Sequence, residues 1–572
     1  TPKDPVFHSL RLRLLALGQD NEGIGAQLQT MVALFPENEE VKSGLIRWYF
    51  AKQDFAGAET FLRAQAGEDT AEPKGHLALV QLLNTTKDRA AGRAELERLI
   101  AANAGQPNAD LYGSFLATMS FEDGKTAEAI AALDTILAQA KPSDQTRSIM
   151  GIQARMLDKT GAHDKAVAIV AQILTDDASN VEALKLRASW AVAENRTGEA
   201  IVDLRAAQGQ APRDPQIMTL MASAYEREGS TDLAGEQLSK AYEAAAGAPD
   251  EALRYAGFLR GQGRAQVAET VLTDARRVSP TSVPVLQALA SVLLENKKWP
   301  QVTEIAEALR QLATPEAVAL ASQLQASVLM GQERLDEGLA LLETQADATE
   351  TDASPSVVVA LTQLRAGKVA EARSFLGEAL KKFPQDRQLR LISANVDAMQ
   401  GKPAEAEAAF RALIAEDAQD ERPVRLLYGL LTGADRKPDA RKVLDAGIAA
   451  QPKNETLLWI KASLLEQEGD IDGAIAIYEQ LYSTNSGNIV VSNNLASMIT
   501  SYRDDAASLD RAATIARRLR SSDVPQFQDT YGWIEYRRGN LDTALPSLET
   551  AAKGLPDDAV AQFHLGMIYA DL

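Results

Sequence analysis

The 572-residue chain contains no cysteine. A disulfide framework, a thiolate zinc site, an iron–sulfur cluster and a cysteine nucleophile are thereby excluded. It has no apolar run of roughly eighteen residues, so no segment reads as membrane-spanning. Aromatic residues make up only 5% of the sequence, and alanine takes much of the apolar share. Basic residues are also scarce: 59 Lys and Arg face 79 Asp and Glu, a net charge of −20. A nucleic-acid binder displaces counterions from phosphates with a basic face, so this balance argues against nucleic acid as a partner. It argues equally against an anionic lipid surface.

Catalytic patterns are missing too. The four histidines, His8, His76, His163 and His564, are widely separated, and neither His-Glu-x-x-His nor Gly-x-Ser-x-Gly occurs. Gly124-Lys125-Thr126 ends like a phosphate loop, but the glycine required five residues earlier is Met119. The pairs Asp176-Asp177 and Asp557-Asp558 sit at turn and cap positions, where a carboxylate caps a helix. The sequence therefore predicts no catalytic residues, no cofactor and no metal site.

What the sequence does have is self-similarity. A small or apolar triplet spaced i, i+4, i+7 recurs, preceded five residues earlier by glycine. Examples are Gly229 before Ala234, Leu238 and Ala241, and Gly263 before Ala268, Leu272 and Ala275. Gly124, Gly401, Gly469 and Gly539 introduce four more. The spacing puts each triplet on one helical face, and the glycine permits a tight turn between antiparallel helices. Prolines mark the period independently: Pro36, Pro73, Pro107 and Pro142 are 37, 34 and 35 residues apart. Several precede a capping residue, as in Pro36-Glu37-Asn38 and Pro384-Gln385-Asp386, so proline is read as ending one helix and the Asx as capping the next. Each period accommodates two helices and two turns.

This period and pattern resemble the tetratricopeptide repeat. Leu565, Gly566 and Tyr569, with Gly532 one period earlier, and Ala222 with Tyr225 fill the first-helix positions of that repeat. The resemblance implies an all-α, right-handed superhelical solenoid of about sixteen antiparallel helix-turn-helix repeats, with a concave groove lined by first helices. We divide the chain into an N-terminal array over 1–294, irregular or degenerate repeats over 295–355, and a C-terminal array over 356–572 whose last repeat is truncated. The small-residue positions are not kept over 74–100 and 295–355, and the acidic segment from Glu343 to Pro355 is the candidate hinge.

The stretch from Ser492-Asn493-Asn494 through Asp529-Thr530-Tyr531-Gly532-Trp533 to Gly539-Asn540-Leu541-Asp542 is more specific. It resembles the last repeats of bacterial tetratricopeptide lipoproteins linked to exopolysaccharide export and PEP-CTERM-type surface systems. The resemblance implies a non-enzymatic protein-interaction scaffold, periplasmic or associated with the outer membrane, that binds a protein or peptide partner such as polysaccharide-export machinery. The chain opens on Thr1 rather than Met, leaving room upstream for a signal peptide or lipid anchor. A cytoplasmic adaptor binding partner peptides, or the recognition arm of an enzyme extending beyond Leu572, are the alternatives.

Ligands of such repeats touch first-helix residues facing the groove. Transferred here, those positions are Trp459, Asn493, Asp529, Trp533, Tyr536, Arg537 and Phe563. Aromatic and arginine side chains make strong binding anchors, although the tryptophans serve equally well as packing between hairpins. Asn493 also matches the asparagine of a carboxylate clamp, without the accompanying basic residues. The small triplet positions should tolerate no enlargement. Ala268→Leu is expected to lower stability by roughly 1–3 kcal/mol through overpacking, measured by thermal unfolding followed by circular dichroism.

Overall fold

The computed structural model describes residues 4–69 and 72–572. Thr1, upstream of which the sequence leaves room for an anchor, lies outside them. Among the described residues there are 33 α-helices and no strand, so the chain is an all-α helical-repeat solenoid. Successive helices pair into sixteen antiparallel hairpins, and helix Ala559–Asp571 follows the last. The chain divides into two compact units, Thr1–Leu186 and Arg187–Leu572. Five hairpins lie wholly in the first and ten in the second. The division at 294 and 355, drawn on repeat regularity, concerns a different property and stands as a proposal.

The hairpin logic is local. Gly229, Gly263, Gly401, Gly469 and Gly539 all have positive φ, between 67° and 81°, at the turn between first and second helices. Five residues later Ala234, Ala268, Ala406, Ala474 and Ala544 are fully buried, each followed by a buried large residue: Leu238, Leu272, Phe410, Tyr478 and Leu548. Alanine there lets the helices approach, while the larger side chain fills the remaining space. First helices are capped by Asx residues, among them the predicted Asn38 and Asp386. Asn38 accepts hydrogen bonds from the Glu40 and Val41 amides, Asp386 from Leu389 and Asn454 from Leu457.

One expectation needs correction, and two stretches carry more of the pattern than their small residues suggest. Proline does not only end helices: Pro73, Pro107, Pro249 and Pro315 occupy the first helical turn, where a missing N–H costs nothing. The stretches over 74–100 and 295–355 also keep the register. Gly92, Leu96 and Leu99 are a buried i, i+4, i+7 triplet in helix Arg89–Ala102. Val302, Ala306 and Leu309 form another, and Gly338 with Leu342 opens a third. Their signal was masked because the small residue is Gly or Val, and because the turn residues Lys297 and Glu333 take positive φ without being glycine. Within Glu343–Pro355 the helix runs to Asp347 and the next starts at Ser354. Its acids are not isolated from base: Glu350 pairs with Lys382 at 3.5 Å.

In the second unit the hairpin array meets itself. The Ser486 hydroxyl donates to the Ala193 carbonyl, and the Ser521 hydroxyl to the Gly229 carbonyl, contacts 293 and 292 residues apart in sequence. Asn195 Nδ2 donates to the Thr514 carbonyl at 2.9 Å, and Arg517 pairs with Glu228 at 3.9 Å. The tight turns of early hairpins thus touch the loops between late ones. The late side is irregular: helix Ala506–Ala516 is short and ends in the 3₁₀ turn Arg517–Leu519.

A paired substitution separates turn conformation from this contact. A Cβ on Gly263 would meet nothing within 4 Å, whereas one on Gly229 would lie 2.7 Å from the Arg517 carbonyl oxygen. Gly263→Ala is expected to cost about 1 kcal/mol from backbone strain alone. Gly229→Ala should cost roughly 2–4 kcal/mol, because close contact adds to strain. Denaturant unfolding of both variants reads the difference; equal costs would mean that the contact contributes nothing.

Candidate functional site

The last two first helices, Pro525–Arg537 and Ala559–Asp571, carry most of the predicted residues. Trp533 is half-buried and lies between two rings. His564 stacks on one side with centroids 3.9 Å apart and planes 14° off parallel; Tyr536 stacks at 4.9 Å and 20°. The Arg537 guanidinium sits 5.9 Å from the Trp533 ring centre. Spacing explains the arrangement: positions 533, 536 and 537 are i, i+3 and i+4, so they share one helical face. Phe563 lies 6.1 Å from Trp533 and is 57% exposed, so an apolar ring faces solvent beside the stack.

Polar contacts fix the stack. His564 Nδ1 is 3.0 Å from an Asp529 carboxylate oxygen. The Tyr536 hydroxyl donates to Asp571 at 2.7 Å, and this bond to a carboxylate pushes the phenol above its ordinary range. Arg537 donates to the Thr500 carbonyl at 3.0 Å and pairs with Asp504, tying this helix to the preceding first helix, Ile489–Tyr502. Asp529, Trp533, Tyr536, Arg537 and Phe563 therefore form one patch.

Trp459 and Asn493 are not in it. Trp459 packs edge-to-face against Tyr478, with centroids 5.8 Å apart at 82°. Asn493 donates to the Asn494 side chain at 3.2 Å, and its own carbonyl oxygen is buried without a donor. Sequence reasoning missed His564 as a member of the patch. The signal was available, since Asp529 and His564 are 35 residues apart, about one repeat. The other histidines stay in separate hairpins, where His8 meets Gln27, His76 meets the Glu68 carbonyl and His163 meets Asp158. Among the described residues, no three His, Asp or Glu side chains converge as metal ligands.

A second feature had no counterpart in the sequence reading. Within the second unit a cleft of about 830 Å³ opens beside the long-range contact, lined by Arg227, Leu220, Phe258, Arg518 and Phe527 among others. Both arginines bond Ser486: Arg227 to its hydroxyl, Arg518 to its carbonyl at 2.7 Å. Burial pulls both guanidinium pKa values down, and for Arg518 the neighbouring Arg227 charge adds to the effect. Burial pushes the adjacent Tyr482 phenol up.

Models of the tetratricopeptide repeat match residues 363–431 and 431–489. Residues 363–489 carry tetratricopeptide repeats. No curated protein matches the chain. Solved structures with a similar course include the APC/C hetero-tetramer Cut9–Hcn1. That likeness has 15% identity and a TM-score of 0.31, and covers 95% of this chain and 98% of that one. Naa15/Naa10 bound to HypK-THB gives 13% and 0.33, over 100% and 91%. Pseudomonas aeruginosa PilF gives 16% and 0.31, over 38% of this chain and 97% of its own.

The ring stack makes a structural prediction. Because Trp533 bridges both helices, Trp533→Ala should loosen Ala559–Asp571 by about 3 kcal/mol. Native-state amide exchange should show this as faster exchange over 559–571, with the tetratricopeptide repeats over 363–489 unchanged. Unaltered exchange in the last helix would show that the stack does not hold it.

Proposed function

We propose that the chain is a protein-interaction scaffold whose C-terminal first helices hold a partner. The observation that carries this reading is the patch around Trp533: a rigid ring stack, a guanidinium and an exposed phenylalanine side by side on adjacent first helices. Rigid aromatic rings with arginine supply contact area at low entropic cost and are the residue types that dominate binding energy. Tetratricopeptide repeats typically bind protein partners, and matched repeats end one hairpin upstream of the patch. The fold is one that generally serves as a non-catalytic scaffold.

The finer part of the proposal is location. The C-terminal likeness to envelope lipoproteins supports a scaffold in the bacterial envelope, periplasmic or at the outer membrane, that assists assembly or export of exopolysaccharide or surface proteins. Its partner would then belong to the polysaccharide-export machinery. A photo-crosslinking residue placed at Phe563 in the native host tests the patch, with one at the exposed outer position Thr550 as control. The expected result is an adduct with a discrete protein from position 563 and none from 550. Equal labelling from both positions, or none from 563, contradicts the patch. Fractionation of the same cells tests location: recovery with the envelope supports the proposal, and an exclusively cytosolic pool replaces it with a cytoplasmic adaptor.

A further inference from the structure

The cleft in the second unit presents an unbalanced charge. Arg227 and Arg518 meet at Ser486, one on its hydroxyl and one on its carbonyl, so two guanidinium groups share one small region. Among the described residues, neither makes an ion pair with a carboxylate. The third arginine of the cleft, Arg254, is paired with Glu226. The remaining acid, Asp523, is solvent-exposed at the rim. Arg518 Nε is buried and has no acceptor.

Such an arrangement is costly. Two like charges removed from water repel one another, and a buried donor without an acceptor forfeits its hydration. Buried polar groups in folded proteins nearly always find a partner, so a cleft-lining guanidinium whose Nε has no acceptor calls for one. In a chain of net charge −20, a carboxylate for each arginine would have been easy to supply, yet Glu226, which also lines the cleft, is paired with Arg254. The chemistry that fits is a planar oxyanion, which the arginine fork binds through two parallel hydrogen bonds.

The rest of the cleft narrows the choice. Its volume of about 830 Å³ is far more than an inorganic anion fills and is in the range of pockets that enclose organic ligands. Leu220, Phe258 and Phe527, all half-buried, line it beside the arginines. We propose that this cleft binds a peptide segment through a carboxylate held by Arg227 and Arg518, with an apolar side chain next to that carboxylate resting on Leu220, Phe258 and Phe527. The site is distinct from the Trp533 patch and does not depend on it. Arg227 and Arg518 come from parts of the chain that meet only through the long-range contact, so the occupied cleft also fastens that contact.

Four probes test the assignment on the whole chain by calorimetric titration. They are an acetylated Gly-Leu-Phe peptide with a free C-terminal carboxylate, an acetylated and amidated Leu-Asp-Phe peptide, the amidated Gly-Leu-Phe peptide, and inorganic phosphate. Saturable binding of the first identifies a chain terminus as the carboxylate source, and of the second an acidic side chain. Either result supports the proposal when the amidated Gly-Leu-Phe control fails to bind. Arg518→Gln and Arg227→Gln should each weaken that binding about tenfold, as expected for loss of a charge-assisted pair. A second readout needs no variant: the bound peptide should slow amide exchange in both 220–230 and 515–524 of the wild-type chain. The proposal is overturned if neither carboxylate peptide binds, if phosphate alone binds, if the carboxylate-free control binds equally, or if exchange slows in only one of the two segments.

Discussion

A helical hairpin cannot cover its own apolar face, and everything in this molecule follows from how closely the next hairpin can come. The distance is set at a handful of positions where only a hydrogen or a methyl group fits. At Gly25 an added Cβ would lie 2.2 Å from the Trp48 ring of the next hairpin, and within the last hairpin one at Gly532 would lie 2.8 Å from Leu548 and 3.1 Å from the Leu548 backbone nitrogen. The fully buried alanines of the second helices impose the same limit elsewhere. With approach guaranteed, Leu, Tyr and Phe fill the layers, and few aromatic residues are needed.

Local rules of this kind are legible in sequence. Glycine at the turn and alanine five residues on identify half of the hairpins, and Asn38, Asp386 and Asn454 cap the helices that follow them. Reading fails where another residue does the same physical work. Lys297 and Glu333 hold the left-handed turn without glycine, and Gly92 replaces alanine at the crossing, so the pattern fades in sequence where helices continue. At the C-terminus, helical spacing brings Trp533, Tyr536 and Arg537 together correctly. Trp459, two hairpins earlier, packs instead on Tyr478, because a first-helix position is equally available for packing.

The contact within the second unit was not legible, for a reason of principle. Small per-hairpin displacements add up over eight hairpins, and no residue encodes the sum. The only local trace is the shortened helix Ala506–Ala516 and the Arg517-Arg518 pair after it, where the repeat departs from its pattern to reach Gly229. Departures from an otherwise regular array are therefore the places to look for contacts that the repeat itself does not specify. Here one departure brings two desolvated arginines to the edge of a cleft.

The central claim is that close hairpin packing carries the second unit around until hairpins eight repeats apart touch. The absence of cysteine allows a direct measurement, since two introduced cysteines label without background. Spin labels at Asp232 and Asp523, both exposed, flank the contact from its two sides. Pulsed electron–electron resonance on the whole chain should give one short, narrow distance distribution. A broad distribution centred at long distance would contradict the account, because the array would then be packed hairpin by hairpin without meeting itself.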